Sequence, residues 1–306
     1  MIDIIIPAYN AHETIRKTLM SICIQNNVKD LNIYIIDDCS DEPYDYLIDE
    51  FNKYLNIKIE RLNKNSGPGV ARNRGLEISN SEYVMFIDSD DQFINCYSIN
   101  SLVKEIINYD LAIGVLVEEC EDGTLRYIDN HDRCLHAKLY KRSIIEKYNI
   151  KFPSLKRHED SAFHELYLMS KPNIVLVDEY VYFYRFNNRS LTRNKSGKEE
   201  FQNYKMLSEA TEYVIEKSIK NNFDLKMLED TITSILTFLY FEYLKYYKED
   251  YSKDLFNWIK QIVEFYKDNL FLQDKENLNI YLDIFKNNYD EIPYISWDDF
   301  IEKASK

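Results

Sequence analysis

The sequence predicts an α/β fold: a mostly parallel sheet with helices on both faces, followed by a C-terminal α-helical region. Three observations carry this. The first half alternates short apolar runs with amphipathic stretches. Those runs are apolar on both faces, as strands covered on both sides must be. Beyond Gly197 no glycine follows and apolar residues recur at helical spacing, as in Leu255, Ile259, Ile262 and Tyr266.

The elements follow in order. Ile2 to Pro7 reads as a strand and Glu13 to Gln25 as an amphipathic helix. Ile33 to Ile36 is a second strand, with a helix near Tyr44 to Tyr54, and Ile57 to Leu62 is a third strand. A helix over Val70 to Ile78 precedes the strand Tyr83 to Ile87. Leu111 to Val117 and Leu125 to Ile128 flank Asp122-Gly123, a hairpin signal. Ser143 to Tyr148 looks helical, and Ile174 to Val177 and Val181 to Tyr184 read as two further strands. Residues 1–197 are expected to form one domain and 198–306 a helical one.

Composition sets bounds. The 306 residues are 45% hydrophobic and 29% charged, a globular balance. A net charge of −14 repels nucleic-acid phosphate, so nucleic acid is not an expected partner. The five cysteines are odd in number and widely spaced, which suggests neither a disulfide framework nor a zinc site. The chain is read as cytoplasmic, with no signal peptide and no apolar run long enough to span a bilayer. Peripheral contact with the inner face of a membrane stays open. The region from Lys198 onward carries 22 acidic and 14 basic residues, against a strong electrostatic anchor. All 11 arginines lie at or before Arg193. Arginine binds phosphate bidentately, so phosphate chemistry is expected in the first two thirds, although the joining of two regions would leave the same trace.

Ligands on parallel sheets bind beyond the carboxyl ends of the strands, and the polar residues fall there. Tyr9 and Asn10 follow the first strand, Asp37 and Asp38 the second, and the segment from Asn63 to Gly69 the third. Asp88-Ser89-Asp90-Asp91 follows the fourth. Three carboxylates within four residues repel one another unless solvated or neutralised, and a divalent cation is one answer. An acidic loop capping the next helix fits the same letters. Asp37-Asp38 suits hydrogen bonds from a base or ribose, or an ordinary turn. Gly67-Pro68-Gly69 opens a helix bearing Arg72 and Arg74, as an anion site or as a plain Gly-Pro turn. In His158-Glu159-Asp160 a carboxylate can act as a general base, or the pair can complement a helix dipole.

In sequence order these segments resemble glycosyltransferase family 2, the inverting, sugar-nucleotide-dependent enzymes of the GT-A fold. The resemblance runs from Ile2 to about Arg193. It rests on Ile6-Pro7-Ala8-Tyr9-Asn10, Ile36-Asp37-Asp38-Cys39-Ser40, the Gly67 to Gly75 segment, Asp88 to Asp91, and Glu159-Asp160. Lys138-Leu139-Tyr140-Lys141-Arg142 and Tyr184-Arg185 with Ser190 match later landmarks. It implies a hexosyl-type transferase moving a sugar from a nucleoside-diphosphate donor, a UDP-sugar by family usage, to an acceptor hydroxyl. It implies that Pro7, Tyr9, Asn10, Asp37, Asp38, Gly67, Arg72, Asp88, Ser89, Arg185 and Ser190 bind the donor. It implies that Asp88, Asp90 and Asp91 hold Mn²⁺ or Mg²⁺, and that Asp160 is the base with Glu159 in support. The acceptor would be a glycan, a lipid-linked glycan or a protein in cell-surface polysaccharide or glycoconjugate synthesis. The C-terminal helices, with Tyr240, Phe241, Tyr246 and Tyr247, are open to an acceptor, oligomer or lid role. The competing reading is a non-catalytic sugar-nucleotide-binding or scaffold protein on the same fold.

Overall fold

Strand β1 (Ile2–Ala8) is buried along its whole length, and everything else in the sheet is arranged around it. A computed structural model describes residues 1–129, 134–187, 197–224 and 227. The chain divides into two compact units, Met1–Arg193 and Asn194–Lys306. In the first, the elements after β1 are α1 (Ile15–Cys23), β2 (Leu31–Asp37), α2 (Tyr46–Phe51), β3 (Asn56–Arg61), α3 (Pro68–Ile78) and β4 (Tyr83–Phe86). Then come β5 (Gln92–Phe93), α4 (Ser98–Glu105), β6 (Leu111–Glu119), β7 (Leu125–Ile128), β8 (Lys138–Lys141), α5 (Arg142–Lys147), α6 (Glu159–Met169) and β9 (Ile174–Tyr184). In the second unit, α7 (Gly197–Lys220) is a 24-residue helix that buries Ala210, Val214 and Ile215. The helical positions from Leu255 to Tyr266 and the aromatic residues Tyr240, Phe241, Tyr246 and Tyr247 lie outside the described residues.

The sheet has nine strands in the order β3-β2-β1-β4-β8-β6-β9-β5, with β7 paired to β6. β3, β2, β1 and β4 are parallel, as uninterrupted apolar runs alternating with helices require. From β8 onward the sheet is mixed: β8 is antiparallel to both β4 and β6, while β6 and β9 are parallel. Alternate residues of β1 feed opposite faces. Ile4 and Ile6 join Ile33 and Ile35 under Ile15, Leu19 and Ile22 of α1, Leu47 of α2 and Leu102 of α4. Ile5 points the other way, against Gly75 of α3, where a Cβ would overlap Ile5 Cγ2. On that same face Phe86 meets Phe152 and Phe163 of α6 edge-on, at 5.2 and 5.4 Å between ring centres.

The two ends of the parallel strands are treated differently. At the amino ends, buried Arg142 donates to Asp3 Oδ2 at 2.8 Å and to the Ser81 carbonyl at 2.6 Å, which closes that end with an ion pair. At the carboxyl ends the register puts Ala8, Asp37 and Arg61 side by side. The Ile87 amide donates to the Ile5 carbonyl, so the chain beyond β4 emerges at the same edge.

Candidate active site

Two clusters stand at that edge. The first joins the loops after β1, β2 and β3. Asn10 takes a left-handed conformation (φ 49°), its amide donates to Ser40 Oγ at 3.0 Å, and its side chain exchanges hydrogen bonds with Asp41. Pro7 is buried within β1, whereas Tyr9 projects with half its surface exposed. Asp37 is fully buried and accepts from Arg61 Nη1 at 2.6 Å and from the Ser40 amide at 2.8 Å. Asp38 accepts from the amides of Ser66 and Gly67 at 2.8 and 2.7 Å. Burial raises the Asp38 pKa, and those two N–H groups offset only part of the rise. Gly67, at φ 90°, lets the chain turn sharply into Pro68 and start α3. The donor residues expected here are thus brought together, and Asp37 and Asp38 spend their oxygens on fixing the loops.

The second cluster surrounds Asp88 to Asp91. Arg72 was expected to meet base or phosphate. It is 4% exposed, and its Nη atoms donate to Asp88 Oδ1 and to Glu159 Oε1, both at 2.7 Å. It lies 5.6 Å from the centre of the Phe152 ring, and its Nε has no hydrogen-bond partner among the described residues. Helix α3 therefore carries a cation that ties the loop after β4 to the first residue of α6. Arg74 faces outward and pairs with Glu60 and Glu77. Asp160, second in α6 and half-buried, follows Glu159 directly, and both sit where the helix dipole favours anions. His158, just before them, is left-handed at φ 63°.

Each aspartate has its own partners. Asp88 Oδ2 meets His136 Nε2 at 3.2 Å, and Tyr182 Oη accepts from the Asp88 amide at 3.1 Å. Asp90 Oδ2 accepts from Asn187 Nδ2 at 2.8 Å. Asp91, 1% exposed, accepts from Tyr182 Oη at 2.7 Å and from the Arg185 amide at 2.9 Å. Ser89 is half-buried between them. The Arg185 contact is thus made by its backbone, and Ser190 lies outside the described residues.

The electrostatics show a surplus of negative charge. Burial opposes ionisation of Asp88, but Arg72 and His136 outweigh it and hold the carboxyl well below its usual range. Burial and the Asp88 charge push Asp90 up. Burial pushes Asp91 well up; His136 opposes it, and Asp88 and Asp90 reinforce it. Burial likewise raises Glu159 despite Arg72. Burial disfavours a charged His136, yet hydrogen bonds to Asp88 and Cys134 hold it well above its ordinary value. One donor atom each from Asp88, Asp91 and His136 lie within 4.8 Å of one another. A half-buried carboxylate, a buried one and an imidazole at that spacing, with charge left over, fit a divalent cation. Of the three aspartates expected, Asp88 and Asp91 are in this group together with His136, and Asp90 is held by Asn187.

Sequence reasoning missed His136, Tyr182 and Asn187. His136 stands two residues before the buried strand Lys138 to Lys141, and a single histidine there carries no local signal. Two tyrosine rings of β9 lie beside it, 4.6 Å (Tyr182) and 5.7 Å (Tyr184) away; the sequence offers Tyr182 only as a strand residue and Tyr184 also as part of a family landmark.

The family model described as Glycosyl transferase family 2 matches residues 3–154. The poly(ribitol-phosphate) beta-N-acetylglucosaminyltransferase TarP of Staphylococcus aureus strain N315 is 30% identical over 224 residues, covering 64% of this chain and 67% of that protein. TarS of strain Mu50, with the same described activity, is 26% identical over 203 residues, 60% of this chain and 35% of its own length. The chain thus spans about two thirds of one relative and about a third of the other. The crystal structure of S. aureus TarS 1-349 in complex with UDP-GlcNAc superposes with a TM-score of 0.66 at 16% identity, covering 96% of this chain and 99% of that one.

Proposed function

Because the chain belongs to glycosyl transferase family 2, we propose that it moves a hexosyl group from a UDP-sugar to an acceptor hydroxyl, with inversion, in the synthesis of a cell-surface polymer. The observation that carries this is the Arg72 bridge, which joins the carboxylates after β4 to the helix that bears Glu159 and Asp160. The family's donor and base motifs, 71 residues apart between Asp88 and Glu159, meet through one guanidinium. Relatives described as poly(ribitol-phosphate) glycosyltransferases support a wall-polymer acceptor.

In this reading Asp160 removes the proton from the acceptor hydroxyl. The acceptor oxygen bonds to the anomeric carbon, the bond from that carbon to the diphosphate breaks, and UDP leaves with the electron pair. A single displacement inverts the centre. Glu159, tied to Arg72, fixes the first turn of α6 and so the position of Asp160. Asp88, Asp91 and His136 would hold Mn²⁺ or Mg²⁺, which when bound supplies positive charge to the departing diphosphate. The loops after β1 to β3, with Tyr9 exposed and Asp38 holding the Gly67 turn, take the uridine. In this reading residues 1–197 are the catalytic, donor-binding domain of a cytoplasmic enzyme, and the region from 198 to 306 has an acceptor, oligomer or lid role.

The test is a panel of nucleotide-sugars with Mn²⁺, read as released nucleoside diphosphate. Release from one UDP-sugar is expected, together with a loss of roughly 10²- to 10⁴-fold in a folded Asp160→Asn protein. No release from any donor, or undiminished transfer by Asp160→Asn, would overturn the reading.

A further inference from the structure

We propose that Lys156 and Arg157, on the loop that leads into α6, bind a phosphate of the acceptor, so that the acceptor is a phosphodiester-linked chain and not a neutral glycan. This rests on the transferase reading above and goes beyond it by naming the acceptor's chemistry and the residues that meet it.

Charge supplies the first observation. Lys156-Arg157-His158 is the one run of three consecutive basic residues in the chain, and it stands directly before Glu159-Asp160. The protein as a whole has a net charge of −14. A polyanion approaching such a surface is repelled unless the point of contact is locally positive. Arg61 and Arg72 do not provide that contact, because Arg61 is spent on Asp37 and Arg72 on Asp88 and Glu159.

The fold supplies the second, for the loop is braced at both ends. At its start the Phe152 backbone exchanges two hydrogen bonds with the Asn73 side chain of α3, each 2.9 Å long. The Phe152 ring stacks on Phe163 of α6 with centres 4.1 Å apart. At its end the His158 carbonyl accepts from the Ala162 amide at 3.0 Å, and left-handed His158 turns the chain into α6. Between these anchors Lys156 is exposed and Arg157 half-buried. Side chains carried on a backbone already fixed lose less freedom when they bind.

Reach decides what they bind. Asp160 is four residues from Lys156 and three from Arg157, at most ~14 and ~11 Å along the chain. In a phosphodiester-linked polyol every hydroxyl lies a few bonds from a phosphate, so a hydroxyl at Asp160 brings a phosphate within that span. An inverting displacement sets acceptor and leaving group on opposite sides of the anomeric carbon. Cations beside the base therefore meet the acceptor, while the diphosphate departs toward Asp88. The guanidinium matches two phosphate oxygens, and the ammonium adds a point charge.

The experiment uses the full chain and a fluorescently tagged ribitol-phosphate oligomer, read by anisotropy, with UDP binding by calorimetry as a second arm. Wild type should bind the oligomer, and more weakly as salt rises. Lys156→Gln/Arg157→Gln should bind it roughly 10-fold or more weakly, with UDP affinity within about two-fold of wild type. Lys156→Glu, a change at an exposed position, should weaken oligomer binding too and decides the matter if the double variant does not fold. A matched loss of UDP affinity would assign the pair to the donor diphosphate and overturn the acceptor assignment. So would unchanged oligomer binding in the variants, or equal binding of an uncharged N-acetylglucosamine oligomer by wild type. Failure of wild type to bind the ribitol-phosphate oligomer overturns this inference alone, because release of UDP from a UDP-sugar tests the reading beneath it separately.

Discussion

Replacing Arg72 by methionine removes one guanidinium and leaves two carboxylates facing a low-dielectric space. Arg72 is 4% exposed and the Glu159 side chain 6%, so that pair is buried; the Asp88 side chain is 28% exposed and regains water more easily. Breaking a buried pair from one side costs about 3–5 kcal/mol. The lower end is expected here, about 3 kcal/mol, for two reasons. Glu159 is already raised by burial and can shed its charge by taking up a proton, and methionine keeps packing against Phe152. For a unit of this size each kcal/mol moves the midpoint by about 2–4 °C, so a fall of roughly 6–12 °C follows. The assay is thermal unfolding of the metal-free protein followed by circular dichroism. Asp88, held below its usual range, contributes stability that is present above its unfolded value near pH 3.8 and lost as pH falls through the folded one. The gap between Arg72→Met and wild type should therefore narrow in acid. The double variant Arg72→Met/Glu159→Leu should recover part of the loss, because an apolar replacement of a whole buried pair is nearly neutral. A midpoint within about 2 °C of wild type, or a double variant no better than the single one, would refute the buried-bridge argument.

Two further predictions concern the acidic loop and the helix beneath it. Asp90 has a folded pKa raised by burial and by Asp88, so its contribution is present below its unfolded value and turns into a cost as pH rises through the folded one. Asp90→Asn should accordingly raise the midpoint of the metal-free protein at pH 7.5 and leave it unchanged near pH 4; a lower midpoint at both would count against the repulsion. Gly75→Ala should destabilise by about 1–2 kcal/mol: with a Cβ overlapping Ile5 Cγ2, overpacking costs ~2–3 kcal/mol, and the helix-propensity gain returns ~1. Denaturant unfolding with an unchanged or higher midpoint would show that propensity wins.

The parallel half of the sheet was legible because its strands are uninterrupted apolar runs, and the Asp122-Gly123 turn because glycine there stands at φ 79°. Strand β9 was read as two pieces, Ile174 to Val177 and Val181 to Tyr184. It is one strand, in which exposed Asp178, Glu179 and Tyr180 pass a register shift against β6 between Ile113 and Leu116. Helix α4 and strand β8 were not read as elements at all. β8 is four residues long with lysine at both ends, and the Nζ of buried Lys138 reaches the Cys134 carbonyl at 2.7 Å. In the site, Asp88 to Asp91 stand out in the sequence by local crowding, although a helix-capping loop fits the same letters. The work of Arg72 and His136 does not, because their partners lie up to 87 residues away in the chain. Charge in a sequence announces a need for compensation; the fold decides which charge supplies it.

Gly69 and Gly75 have a consequence for how such an enzyme can be altered. A side chain at Gly69 would press on the Pro153 carbonyl at 2.7 Å and on Glu159 Cγ at 3.0 Å, and one at Gly75 would press on Ile5. Between them the two bare positions set the thickness of α3, as a shim sets a gap. The spacing between the loop after β4 and the first turn of α6 is then a dimension cut into the helix, settled before any ligand arrives. A designer who wished to widen that gap would adjust the shim one methyl at a time, and Gly69 is the face to begin on.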